Sequence, residues 1–155
     1  VPGEFERLTY EAALRGLDKQ ERLLEELRAR TGALLTASSL ATSFLGPQAF
    51  RRDSGDLLTV VALAAFIVSI GTSVFILLPK RGLVFSEAGF GLFSALHSMR
   101  TDMPGVHRRM AYELDRLWTC NDRIIGTLTR AYIVGSCALA VEILSLAALV
   151  SATLL

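Results

Sequence analysis

The stretch CALAVEILSLAALV, from Cys137 to Val150, carries one charge, Glu142, in a segment otherwise composed for a lipid interior. A charge at the bilayer centre costs at least about 2.5 kcal/mol on the mildest scale. The side chain therefore has to face protein or water, and the helix face that carries it decides the fold. Counting back in sevens from Glu142 gives Gly135, Leu128 and Asn121, which share one face of a supercoiled helix. The finer pattern alternates three and four through Leu114, Leu117, Asn121, Ile124, Leu128, Ala131, Gly135, Ala138 and Glu142. It passes from a charged region into an apolar one without a change of phase. The spacing predicts one helix from Pro104 to Leu155, about 78 Å long, with Gly126 and Gly135 as the places for a bend.

Two further uncharged runs lie upstream. The run from Leu57 to Leu78 has the length of a transmembrane helix. The run from Thr31 to Phe50 holds Gly46-Pro47-Gln48, and its strongly apolar part, Ala33 to Leu45, is short. Such a run suits a buried helix or a re-entrant segment as well as a span. A short full span is expected, because a helix precedes the run and can tilt through it. The chain is 52% hydrophobic overall. No cleaved signal peptide is expected, since residues 1–30 are rich in charge.

Charge distribution sets the expected topology. Residues 1–30 hold six Lys or Arg, residues 80–130 hold eight, and the connection RRDSGD, Arg51 to Asp56, holds two. The positive-inside rule places residues 1–30 and 80–130 in the cytoplasm and RRDSGD and the C-terminal end outside. The expected order is a cytoplasmic helix (1–30), transmembrane helix 1 (31–50), transmembrane helix 2 (57–78), a cytoplasmic segment with interfacial and stalk helices (80–130) and transmembrane helix 3 (131–155). This is an all-α membrane protein: three transmembrane helices, with long helices extending into a cytoplasmic helical stalk, expected to be oligomeric. A nucleic acid polymer is not an expected partner, because residues 1–30 set seven acids against six bases.

The first charged segment has its own stripe: Tyr10, Ala13, Leu17, Gln20, Leu24, Leu27, Thr31 and Leu34. This a/d pattern asks for a partner helix. One helix is expected from Glu4 to Leu45, stopped by Gly46-Pro47. Residues 82–104 read less clearly. Ser86-Glu87 resembles a helix start, Phe85, Leu92, Phe93, Leu96 and Met99 an interfacial face with His97 and Arg100 on another, and Asp102 a cap.

With no Lys or Arg in any span, the partners expected for Glu142 are hydroxyls (Thr36, Ser38, Ser39, Thr42, Ser43, Ser69, Thr72, Ser73), backbone, water, or the same Glu of another subunit. Glu142 then reads as a hydrogen-bonding link between helices, as the lining of an ion or water path, or as a tolerated side chain that snorkels. Ser39 and Ser43, at i and i+4, join Leu114, Leu117, Leu128 and Gly135 as expected helix-packing positions. Asn121, Arg123 and Arg30 read as a polar network at the membrane mouth, with Asn121 alone fixing register as the simpler reading. Cys120 and Cys137 stand about 25 Å apart on one helix, too far for a disulfide, and read as packing residues. No phosphate loop, zinc spacing or nucleophile elbow occurs, so neither an enzyme nor a cofactor is expected.

Two stretches carry a resemblance. RTGALLTASSL, Arg30 to Leu40, is similar to a basic-small-Gly-x-Leu-Leu approach to a first span. NDRIIGTLTRAYIVG, Asn121 to Gly135, is similar to an Asn-led basic helix running into a last span. Together with the element order, they resemble the membrane effectors of bacterial Pycsar antiphage systems, and more loosely the SLATT-type effectors. The resemblance implies a multi-pass protein of the bacterial inner membrane, N-terminus in the cytoplasm. Such an effector assembles and impairs the bilayer when a cyclic nucleotide signals infection. In place of the acid usual before the basic residue stand Leu27, Arg28 and Ala29. No cyclic-nucleotide-binding domain fits in the chain. Sensing would fall to the cytoplasmic helices or to a nucleotide-sensing partner protein. The rival readings are an adaptor membrane protein whose stalk binds a partner, and a small constitutive channel.

Overall fold

The computed structural model describes residues 3–49, 57–80, 82, 83, 85 and 103–154. All regular structure among them is helical: α1 (Glu4–Ala49), α2 (Leu57–Leu77) and α3 (Met103–Leu154). The RRDSGD turn, the interfacial reading of residues 86–100 and the Asp102 cap lie outside the described residues.

α1 begins at a capped end. Gly3, at φ 114°, takes the left-handed conformation open to glycine. The Glu6 carboxylate turns back to accept the Gly3 backbone N–H at 2.9 Å, the return half of a capping box. The other end differs from expectation, because Gly46-Pro47 does not stop the helix, which continues to Ala49. Proline removes one amide donor and crowds the residue before it. Here that residue is Gly46, with no Cβ to crowd, and the donor is lost only in the final turn. α3 is one helix through Gly126 and Gly135.

The chain divides into two units, and α1 and α3 contribute to both. The first unit comprises Val1–Glu25 and Lys80–Gly126. Its buried residues are Leu17, Gln20 and Leu24 of the α1 stripe and Ala111 and Asn121 of α3. Burying each leucine contributes about 2 kcal/mol. The two helices run parallel here: Glu6 meets Arg108 and, further along both, Gln20 meets Trp118. Gln20 Nε2 donates to the Trp118 carbonyl at 3.1 Å, while its Oε1 is buried without a partner among the described residues. Tyr10 stacks on His107 with ring centroids 5.5 Å apart.

The second unit comprises Glu26–Pro79 and Thr127–Leu155. Its interior is small and hydroxylated. Among the buried residues of α2 (Thr59, Ala62, Ala65, Ser69, Ser73, Ile76) half carry hydroxyls, and Thr31 and Ser38 of α1 and Ser145 of α3 are buried too. Its outer surface is greasy instead. Phe44 of α1, Ile67 of α2 and Leu144 of α3 are 70%, 61% and 69% exposed. That distribution reverses the one water imposes and suits helices that meet lipid outside and pack by close approach inside. α2 and α3 are long and apolar enough to cross a membrane.

Packing is tightest at Gly135. A Cβ built there would lie 2.5 Å from Thr72 Oγ1 and 3.9 Å from the Ser69 carbonyl oxygen. Glycine suits the position because the Thr72 hydroxyl occupies that space, while the Ser69 carbonyl stands at ordinary contact distance. Ala62, Leu146 and Leu149 form an apolar cluster with Leu45 against it.

Two packing assignments change. Ser39 and Ser43 are exposed on the chain, and Ser39 Oγ donates to its own helix at the Leu35 carbonyl. The inward places belong to Ser38 and Thr42, one residue earlier on the helical wheel. Cys120 and Cys137 are free and exposed, so neither packs a core.

Candidate functional site: a buried carboxyl among hydroxyls

Ser38 and Thr42 lie four apart on α1 and therefore share a face. Both hydroxyls point at Glu142. Ser38 Oγ donates to Oε2 and Thr42 Oγ1 to Oε1, each at 2.8 Å. Glu142 and Ser38 are both 0% exposed. No cation lies within ion-pair distance of the carboxyl among the described residues, so hydroxyl dipoles alone satisfy its two oxygens. Stripe geometry places it: Glu142 follows Leu128 (1% exposed) and the buried Gly135 along one face of α3.

The other candidate hydroxyls make different bonds. Thr36, Ser39, Thr72 and Ser73 donate to carbonyls three or four residues back on their own helices. This back-bonding is the usual refuge of a hydroxyl inside a membrane helix. Ser69 Oγ is buried with no partner among the described residues. The two hydroxyls that reach Glu142 are the continuation of the α1 stripe, from Leu34 by fours to Ser38 and Thr42. Extending the 3–4 alternation past Leu34 reaches Ser38 and then Ala41, so it singles out Ser38, and Thr42 follows one turn further on the same face.

Asn121 is wholly buried in the first unit. Arg123 is exposed. Arg30, expected beside them, is ion-paired with Glu26, one turn back on its own helix. Leu114 and Leu117 are half-buried on the α3 seam of the first unit.

Nothing in the residue spacing points to the contacts at the start of the first unit. Glu6 accepts from Arg108 Nη2 at 3.3 Å. Its carboxyl is held below the ordinary value of 4.5, mainly by its own backbone N–H and that of Gly3, with Arg108 assisting. A groove of about 480 Å³ lies alongside, lined by Phe5, Glu6, Thr9, Arg108 and Tyr112 among others. The groove is walled by Phe5 and Tyr112 and holds the Arg108–Glu6 ion pair.

No protein-family model, no curated protein and no solved structure matches the chain.

Proposed function

We propose that this chain is a bacterial inner-membrane effector of antiphage defence, which oligomerises and permeabilises the bilayer when triggered. The observation that carries the reading is the carboxyl of Glu142, buried against two α1 hydroxyls in a unit that is apolar outside and hydroxylated inside. A link made only of hydroxyl hydrogen bonds is weak, averaging about 0.6 kcal/mol per bond across membrane helices. It can be exchanged for water or for a neighbouring copy. Triggering is then a population shift between a sealed helix packing and a leaky one that turns Glu142 toward a polar path.

The proposed arrangement has three spans. The uncharged helical stretch 31–49 is about 28 Å long, close to the roughly 30 Å hydrocarbon thickness, and α1 there carries exposed Leu40 and Phe44 like its neighbours. The cytoplasmic segments, 1–30 and 80–130, would receive the trigger. The resemblance to Pycsar effectors makes a cyclic nucleotide, or a partner protein that senses one, the trigger to test first.

The test is dye release from liposomes of inner-membrane lipid composition, with and without cyclic pyrimidine nucleotides. Leakage that rises on adding nucleotide is the expected result. Leakage of equal size without it identifies a constitutive channel. Sealed vesicles under both conditions, and again with host extract, overturn the effector and favour an adaptor that binds a partner through its cytoplasmic helices.

A further inference from the structure

Two lines of opposite charge run along the first unit at the same repeat. On α1, Glu11, Asp18 and Glu25 are seven apart, and on α3, Arg109, Arg116 and Arg123 are seven apart. All six are exposed. They occupy outer heptad positions: each acid follows a seam position (Tyr10, Leu17, Leu24), and Arg116 and Arg123 each precede one (Leu117, Ile124). Neither line falls on the buried seam positions.

We infer that these lines are the two halves of one interface between copies of this chain, the acid line of one copy lying along the arginine line of the next. The height of the residues supports this. The Tyr10–His107 stacking and the Gln20–Trp118 hydrogen bond set positions 97 and 98 apart in sequence near one level of the unit, and the Glu6–Arg108 pair sets positions 102 apart. The offset of 98 carries 11, 18 and 25 onto 109, 116 and 123. Each acid of one copy therefore stands within about one helical turn of an arginine of its neighbour whenever copies are related by rotation alone. A closed ring imposes that condition, and an interface of two different surfaces generates one. Each rung is about 10 Å from the next, so a slip of half a heptad misaligns all three pairs together.

Glu11 lies 3.6 Å from Arg7 and Arg116 4.0 Å from Glu113 on their own helices, and Arg109 and Arg123 have contacts as well. Exposed pairs of this kind exchange readily and are singly weak. The lines therefore choose partner and register, as charges flanking a helical seam do, and the affinity comes from apolar contact elsewhere.

This interface rests on the oligomeric part of the proposed function, which it deepens, and does not depend on leakage. The experiment measures the mass of the full chain in detergent micelles for three variants: Asp18→Lys with Glu25→Lys, Arg116→Glu with Arg123→Glu, and all four together. Each double variant is expected to associate at least about tenfold more weakly than the parent. The quadruple variant regains the parent mass, and the two double variants mixed together co-assemble. A disulfide between Asp18→Cys and Arg116→Cys, in a Cys120→Ser chain, should give a ladder of covalent multimers. That readout keeps the test decisive if a charge variant loses helicity. A monomeric parent, double variants of unchanged mass, or the absence of a ladder overturns the interface. Intact assembly in a chain that never leaks overturns the effector function and leaves the interface standing.

Discussion

At the scale of single residues, Glu142 illustrates how an apolar helical unit accommodates a buried carboxyl. Its two oxygens take one hydroxyl each, and both hydroxyls come from one face of α1. Glutamine keeps the shape and can accept from one hydroxyl while donating to the other. Glu142→Gln should therefore leave stability within about 1 kcal/mol of the parent. Glu142→Leu strands both hydroxyls, but each can rotate back to its own helix as Thr36 and Ser39 do. The expected cost is about 1–2 kcal/mol, read from SDS-induced unfolding with the single Trp118 as reporter. A leucine variant as stable as the parent would show that the link contributes nothing. Glu6 carries a pH prediction. Its carboxyl is depressed below 4.5, first by its own backbone N–H and that of Gly3, then by Arg108. A depressed acid stabilises the fold above its unfolded value and loses that contribution as pH falls through the folded value. The stability difference between the parent and Glu6→Gln should thus be full above pH 4.5 and shrink below it. A difference that stays constant throughout the acid range contradicts the assignment.

At the scale of elements, the helices are legible because their stripes hold phase over long distances. Tyr10 to Leu34 on α1 and Leu114 to Glu142 on α3 mark positions that are all buried or half-buried, and a 3–4 alternation sustained that far matches a helix and nothing of period two. The end of α1 is less legible, because Gly-Pro is a stop signal whose effect depends on how many hydrogen bonds remain to be lost. Choosing among serines is harder still. Ser38, Ser39, Thr42 and Ser43 offer two adjacent i, i+4 pairs; the phase inherited from Leu34 selects Ser38, and Thr42 joins it only because it lies one turn on. The stripe puts Gly135 on the inner face, but its need for glycine comes from Thr72 on another helix, which no spacing within α3 reveals. Gly135→Ala places a Cβ 2.5 Å from Thr72 Oγ1 and should cost about 1–3 kcal/mol by overpacking. Thr72→Ala removes the obstructing oxygen, so the double variant should recover most of that loss. The coupling in this double-mutant cycle distinguishes a specific clash from a general intolerance of alanine. Additive losses would place the two residues out of contact.

At the scale of the whole molecule, the number of crossings decides how every other feature is used. α2 and α3 are long and apolar enough to span, whereas the uncharged part of α1 is shorter in apolar content and ends beyond a proline. If α1 also crosses, the side of the membrane alternates three times along the chain. Positions near Glu4 and near Cys120 then share the cytoplasm, and Ser54 and Ala152 lie outside. If α1 stays on one side, Glu4 joins Ser54 and Ala152, opposite Cys120. Single-cysteine chains separate these arrangements. With Cys120 and Cys137 replaced by serine, cysteine is introduced at Glu4, Ser54 or Ala152, while a fourth chain keeps Cys120 alone. A maleimide that cannot cross membranes is applied to intact spheroplasts. The expected pattern is labelling at 54 and 152, and protection at 4 and 120 until the membrane is opened. Labelling of position 4 together with 54 removes the first span. It would also leave the Ser38–Glu142 and Thr42–Glu142 bonds without a membrane to sit in, since one helix of the pair would no longer enter it. Segments 1–30 and 80–130 would then lie on opposite sides, and the α1–α3 seam of the first unit could not form. The seam thus ties the crossing of α1 to the same packing that buries Leu17 and Asn121, and one labelling experiment bears on both.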